Sequence, residues 1–406
     1  MQRRLYVGTD VTRASSIEEL RAMARRRVPN FAFEYVEGGA EDEETLRRNR
    51  EAFANVALLP RTLVDVKERS QAVTLFGRPS ASPFLIGPTG FNGMLSDQAD
   101  LALARAAREA GVPFVLSHVS TTPLERVAAE AGGRIWMQLY PFKDREVVRR
   151  LIERAAAAGC EALVVTTDCP LFGNREWDRR NYRAPMKLDA RNLLDVLLHP
   201  RWIADVLVPN GVPRFGNLDD VLPPGQNTAR NAAAFLSRQM DPSLNWRDLD
   251  WLRSLWPGKL VVKGILVPDD ARRAESCGAD GIILSNHGGR QLDGAVSAFE
   301  VLPEVAAALG PQVTLLVNGG FRRGADVVKA VALGAHAVLL GRATLYGVAA
   351  GGQAGAARAL AILRAGVDRV IGLLGCPDIA ALDAGYLLPA AHGAGKRLPL
   401  PAASLV

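Results

Sequence analysis

Eight short apolar runs, rich in β-branched residues, recur along the chain. They are Phe84–Gly90, Pro113–Val119, Ile135–Tyr140, Ala162–Asp168, Lys259–Ile265, Gly281–Asn286, Thr314–Gly320 and Ala337–Arg342. None alternates strictly between apolar and polar positions, which is the pattern of strands buried on both faces in a parallel sheet. Most are separated by stretches of helical character. Thr122-Pro123 followed by Glu125 reads as a capping box with Pro at the first helical position, and Ser297 with Glu300 repeats the box. Gly111, Gly159, Gly278 and Gly334 stand where helices should stop before the next strand. Eight such units predict an α/β fold, a (β/α)8 TIM barrel with its core at about residues 84–345. A doubly wound sheet is the alternative, but it usually carries GxGxxG after its first strand, and that motif is missing there.

Two regions fall outside the repeat. Residues 1–83 open with a helix signal at Ser16 and Glu19 and should form a helical cap on the barrel. Residues 169–258 make a long insertion after the fourth strand, and loops of that length usually carry function. Residues 1–391 are expected to form one domain, with a mobile Gly/Pro-containing tail over 392–406.

Composition narrows the function classes. With 406 residues, 48% hydrophobic and 23% charged, the chain is of globular type. A formal charge of +6, without basic runs interleaved with aromatics, gives no nucleic-acid footprint but suits an acidic substrate or an anionic membrane surface. Cys160, Cys169, Cys277 and Cys376 form no CxxC pair, and there is no HExxH, so neither a disulfide framework nor a metal site is expected. Reduced, packed cysteines and a Met1–Thr12 start without an apolar stretch fit a cytoplasmic compartment. No apolar run reaches the ~18 residues of a spanning helix.

Barrel enzymes place their chemistry at the C-terminal strand ends. Polar residues stand at those ends here: Thr89, Ser117, Gln138 and Tyr140, Thr166 and Asp168, Lys263, Ser285 and His287. The turn Asn318-Gly319-Gly320-Phe321-Arg322 after strand seven and Gly341-Arg342 after strand eight form a candidate phosphate cup, since glycines let backbone N–H groups approach an anion. The plain alternative is two tight turns with solvated arginines. Lys263 in an apolar run is either a Schiff-base amine, a fixed positive charge beside an electron-accepting ring, or a structural ion pair with Asp168. His287, in Ser285-Asn286-His287-Gly288-Gly289-Arg290, can take a proton near neutral pH, and Arg290 can grip a carboxylate in bidentate fashion.

The run Ser285–Asp293 (SNHGGRQLD) resembles the active-site signature of the FMN-dependent α-hydroxy-acid oxidase and dehydrogenase family. Support extends through Glu34-Tyr35, Gly38–Glu43, Gly87–Gly90, Gln138–Tyr140, Thr166–Asp168, Lys263-Gly264 and Gly341-Arg342, and covers about residues 15–388. Within it the chain is most similar to the membrane-associated (S)-mandelate dehydrogenases, on stretches such as Leu198–Trp202, Ser237–Asp241 and Arg342–Gly347. The resemblance implies FMN as cofactor and oxidation of a small (S)-2-hydroxy acid, with mandelate giving benzoylformate. It implies His287 as base, Asp168 as its partner, Arg175 and Arg290 on the substrate carboxylate with Tyr35 assisting, and Tyr140 on the hydroxyl or carboxylate. Lys263 is implied at the flavin N1/O2 edge. Pro88, Thr89, Gly90, Ser117, Gln138 and Thr166 are implied to line the isoalloxazine, Ser285, Asn318, Gly319 and Gly320 to belong to the same cofactor site, and Arg322, Gly341 and Arg342 to hold the phosphate. Hydride transfer and carbanion formation both need the base, so the residues do not choose between them. An L-lactate dehydrogenase or an oxygen-using 2-hydroxy-acid oxidase is the nearer alternative, and a Schiff-base phosphosugar lyase on the same barrel the remote one.

Two positions depart from the family pattern. Asn318 stands where Asp is usual, and Val119 stands where many short-chain oxidases carry Trp, which leaves room for an aryl substituent. The implied partners are a quinone or another membrane electron carrier, with oxygen as the alternative acceptor, and further copies of the chain in a homotetramer. Residues 171–215 hold eight Lys/Arg against five Asp/Glu around Leu193–Pro209, so 188–215 is a candidate peripheral contact with the cytoplasmic side of the inner membrane. An ordinary helix packed on the barrel is the competing reading of that segment.

Overall fold

The computed structural model describes residues 4–184, 187–219, 221–222 and 228–389. The expected tail, 392–406, lies outside the described residues. Its core is a closed barrel of eight parallel strands in sequential order. The strands run Phe84–Ile86, Phe114–Ser117, Ile135–Leu139, Ala162–Thr166, Lys259–Ile265, Gly281–Leu284, Thr314–Asn318 and Ala337–Leu340. The polar residue that closes several of the predicted runs lies just past the strand, in the βα loop. Pairing of Ser117 with Gln138 and of Thr166 with Lys263 brings the strand ends to one rim.

The barrel interior is filled by alternate residues, among them Leu85, Val115, Trp136, Val164, Val261, Ile283, Leu316 and Leu339. The segment before the first strand does more than the expected helical cap. A hairpin, Val73–Leu75 with Arg78–Ser80, packs Leu75 and Phe76 into the interior cluster and closes the N-terminal end. The helices Asn30–Glu37 and Glu44–Glu51 lie instead against the loops at the C-terminal rim. The helix Ile17–Arg27 begins as read, with Ser16 accepting the Glu19 N–H at 3.2 Å, and packs on the long C-terminal helix Arg342–Leu374, which is broken at Gly351-Gly352.

Helix boundaries show one correction. Ser297 and Glu300 form the predicted capping box, but Thr122 and Glu125 do not. Pro123 precedes the helix Leu124–Ala131, the Glu125 carboxylate pairs with Arg154, and Asn217 of the insertion accepts the Leu124 N–H at 2.7 Å. A residue ~90 positions away thus supplies the cap, and no local pattern encodes it. All four predicted helix-stop glycines adopt positive φ.

The insertion folds onto the rim. It contains the short helix Glu176–Arg180, the helix Ala190–Leu197, a helical stretch over 200–210, and the helices Ala229–Gln239 and Trp246–Leu255, the last leading into strand five. Asp195 accepts the Asn30 N–H, and Arg27 pairs with Asp205 at 2.7 Å, fastening the insertion to the N-terminal segment.

Candidate active site

Strand register brings the predicted residues together. Gln138 accepts from Ser117 Oγ at 2.8 Å and donates to Thr166 Oγ1 at 2.9 Å, so three strand ends share one buried hydrogen-bonded row. Ser285 extends the rim by donating to Asn318 Oδ1 at 3.3 Å, and Asn318 donates to the Leu339 carbonyl at 3.4 Å. An amide serves both contacts, whereas a carboxylate could only accept. That gives the departure at Asn318 a local role.

Above this row lies a cavity of about 750 Å³, within the size range of cofactor and ligand sites. It is lined by Pro88, Thr89, Gly90, Lys263, Asn318, Gly319, Gly320, Arg322, Gly341 and Arg342. Tyr35, Tyr140, Arg175, His287 and Arg290 border the same space. Ser117, Gln138, Thr166 and Ser285 sit one layer below, bonded to one another or to the loops rather than bordering the space.

His287 occupies a left-handed backbone conformation, φ 58°, followed by Gly288 and Gly289 at 66° and 74°. Only glycine adopts that region freely, so the strain at His287 is held by its neighbours. The Gly289 carbonyl accepts from Ala40 N at 2.8 Å, Asn286 and Asn49 exchange side-chain hydrogen bonds, and Asp293 accepts the Thr45 N–H at 2.8 Å. The SNHGGRQLD run is therefore both the site loop and the clasp for the N-terminal segment.

His287 Nδ1 donates to Asp168 Oδ1 at 2.7 Å. This fixes the tautomer with Nε2 unprotonated, and Tyr140 Oη lies 3.3 Å from Nε2. Lys263 Nζ pairs with Asp168 Oδ2 at 3.2 Å and stands 3.4 Å from His287 Nδ1. The ion pair anticipated for Lys263 exists, and it belongs to the site. Burial alone would raise the Asp168 carboxyl, but Lys263 and His287 beside it bring it down to about 2. Burial, then the Lys263 charge, lowers the His287 imidazole below its ordinary value, so the ring is neutral at neutral pH. Gly264, at φ 114°, lets Asp168 approach, because a Cβ there would stand 2.7 Å from the Asp168 Cβ.

Arg290 donates to the Tyr35 and Gly38 carbonyls at 2.7 and 2.8 Å, and burial together with the Arg175 charge pushes it down to about 10. Tyr35 Oη donates to the Gly90 carbonyl at 3.2 Å. Asp178 also borders the cavity, 3.5 Å from Arg175 and 3.8 Å from Arg290. Sequence reasoning missed it. The only signal was a carboxylate three residues after Arg175, which a surface helix would show equally. Phe91, Phe215, Leu236 and Met240 form an apolar wall beside Val119, with Phe91 and Phe215 stacked at 4.7 Å. The insertion supplies three of these four, so they were out of reach of strand-end reasoning.

The strand-seven and strand-eight arginines suit an anion. Arg322 is buried, and among the described residues neither it nor Arg342 forms an ion pair. Arg342 spends donors on the carbonyls of Val36, Gly288 and Gly38, and Arg322 Nη1 on that of Phe321. Each guanidinium has five N–H groups, so both keep some for a ligand. Buried cations without a carboxylate are costly unless an anion completes them. The residues therefore fit a phosphate-bearing group that reaches across the strand ends to Lys263.

The FMN-dependent dehydrogenase pattern matches residues 24–389. The chain belongs to this family. It is similar to (S)-mandelate dehydrogenase of Pseudomonas putida, 47% identical over 92% of this chain and 93% of that protein. It is also similar to an L-lactate dehydrogenase of Yersinia pestis (strain Pestoides F), 41% identical over 93% and 99% of the two chains. A solved structure described as monotopic membrane protein (S)-mandelate dehydrogenase matches with a TM-score of 0.89 at 46% identity, covering 93% of this chain and all of that one. As a member of the family the protein is an FMN-dependent dehydrogenase, and the barrel, its cap and its cofactor agree with the reading of the sequence.

Proposed function

We propose that this FMN-dependent dehydrogenase oxidises an (S)-2-hydroxy acid to the 2-oxo acid, with (S)-mandelate to benzoylformate preferred and a quinone as electron acceptor. The observation that carries the reading is His287, with its Nδ1 on Asp168 at 2.7 Å, lining one cavity together with Arg175 and Arg290. Bound FMN supplies the two-electron acceptor. Lys263 and Asn318 would border its ring, and Arg322, Gly341 and Arg342 its phosphate. Arg175 and Arg290 hold the substrate carboxylate, with Tyr35 assisting. Tyr140 Oη orients the hydroxyl, and His287 Nε2 takes the proton that leaves, whether from the hydroxyl or from the α-carbon. Asp168 stabilises the imidazolium so formed. Anaerobic mixing of the yellow holoenzyme with mandelate, lactate and glycolate tests this; a flavin that none of them bleaches would refute it.

Arg342→Ala should release FMN. Lost charge-assisted hydrogen bonds of ~1.5–3 kcal/mol correspond to roughly tenfold or more in retention. Equilibrium dialysis with FMN fluorescence reads the change, and equal retention would move the phosphate away from this turn.

The membrane part of the proposal rests on the insertion. Leu193, Leu194, Leu197 and Leu198 are more than half exposed on and just after one helix, and Val208 and Val212 are exposed further along the insertion. No helix among the described residues is long and apolar enough to cross a bilayer. This exposed apolar surface supports a contact with the membrane surface through residues 188–215; with it we propose, on the family resemblance, the cytoplasmic side of the inner membrane and a homotetramer of single-domain chains spanning 1–391. Replacing Leu194 and Leu197 by Glu should abolish most co-sedimentation with anionic vesicles while turnover with a soluble dye persists. Unchanged sedimentation would leave the patch for a protein contact.

A further inference from the structure

Arg175 and Arg290 are two cations lining one cavity, where burial first and then the Arg175 charge pull the Arg290 guanidinium below the usual arginine range. Asp178 Oδ2 stands 3.5 Å from Arg175 Nη1 and 3.8 Å from Arg290 Nη2. No other carboxylate among the described residues pairs with either guanidinium. Arg290 is held from its other side by the Tyr35 and Gly38 carbonyls, so its second terminal nitrogen is the one left to face Asp178. The helix Glu176–Arg180 that carries Asp178 is fixed in turn. Asn181, at its end, donates to Glu34 at 2.6 Å and to the Trp177 carbonyl at 3.0 Å. Asp178 therefore has a defined place between the two arginines, inside the space a substrate carboxylate must enter.

We infer that Asp178 is an affinity-setting residue: as a like charge beside the bound carboxylate, it keeps that carboxylate from binding too tightly to the two guanidiniums. With Asp178 the clamp carries two positive charges and one negative, and the ligand carboxylate neutralises what remains. Without it the same ligand meets a doubly positive site. Both the 2-hydroxy acid and the 2-oxo product carry that carboxylate, so an over-tight clamp would hold the product as well. This inference rests on the proposed function of the same cavity.

The test is equilibrium binding of phenylacetate, which lacks the hydroxyl and cannot be oxidised at that carbon, to the FMN-loaded enzyme by flavin absorbance. Phenylacetamide serves as its uncharged counterpart. Asp178→Asn should tighten phenylacetate about tenfold, an effect of the size expected for one unit charge removed a few ångströms from the ligand. Phenylacetamide should bind unchanged, and Asp178→Glu should restore the wild-type value for phenylacetate. A residue that merely supported the helix would weaken both ligands and could not produce this acid-over-amide contrast. Asp178→Ser, smaller and equally neutral, must give the same tightening if Asp178→Asn does not fold. Phenylacetate binding that stays equal or weakens in the folded neutral variants overturns the inference while leaving the proposed function standing. A wild-type holoenzyme that ignores phenylacetate would sink both.

Discussion

His287→Gln should keep its FMN and reduce it at least ~10²-fold more slowly with substrate, the lower end for a lost general base. The structure makes the test clean. The ring holds its place through Asp168 at 2.7 Å and its backbone N–H through Ser285 Oγ at 3.0 Å, while Arg322 and Arg342 stand on other loops and Arg342 meets this one through the Gly288 backbone carbonyl, which the substitution leaves in place. Cofactor retention and chemistry should therefore separate. Stopped-flow flavin reduction reads the rate, and near wild-type reduction would remove His287 from the base role. A pH profile adds a second readout. The catalytic form is the neutral ring, and burial and Lys263 favour that form by lowering the imidazole's pKa. kcat/KM should thus hold its plateau as the pH falls through the ordinary histidine range and decline only on the acid side of it. A base raised by Asp168 alone would begin to fail above that range.

Val119→Trp should reverse the order of substrates, favouring lactate or glycolate over mandelate. Val119 borders the cavity beside the stacked Phe91 and Phe215, and its carbonyl accepts the Phe91 N–H at 3.0 Å. It already touches the first βα loop, because a Cβ on Gly90 would fall 2.5 Å from Val119 Cγ2. An indole at 119 has no room toward Gly90 and must extend into the cavity. Burying a phenyl ring in place of a methyl group contributes on the order of 2 kcal/mol. Realised fully in the transition state, that is ~30-fold in specificity for mandelate over lactate in the wild type. Steady-state kcat/KM on the three acids measures it. Lactate or glycolate outrunning (S)-mandelate in the wild type would overturn the mandelate preference without touching family membership.

The sequence by itself determined the eight strands, because each must be apolar on both faces to lie in a barrel, and that leaves a run visible without any partner. It also placed the polar groups. A strand's chemistry-bearing residue follows its apolar run directly, so Lys263, Asp168 and His287 could be assigned to one rim from chain position alone. The glycines of the strand-six loop were legible for the same local reason, since a left-handed backbone admits few other residues.

Tertiary structure decided what depends on distant segments meeting. The helix at Leu124 is capped by Asn217, the barrel floor is closed by Leu75 and Phe76, and the apolar wall joins Phe91 to Phe215, Leu236 and Met240. Asp178 reads as an ordinary helix-surface carboxylate until Arg290, 112 positions along, is brought within 3.8 Å. Local patterns record how a segment satisfies its own backbone and buries its own face. Which charge finds which counter-charge is set by strand register and by the path of the insertion, and both exist only in the folded chain.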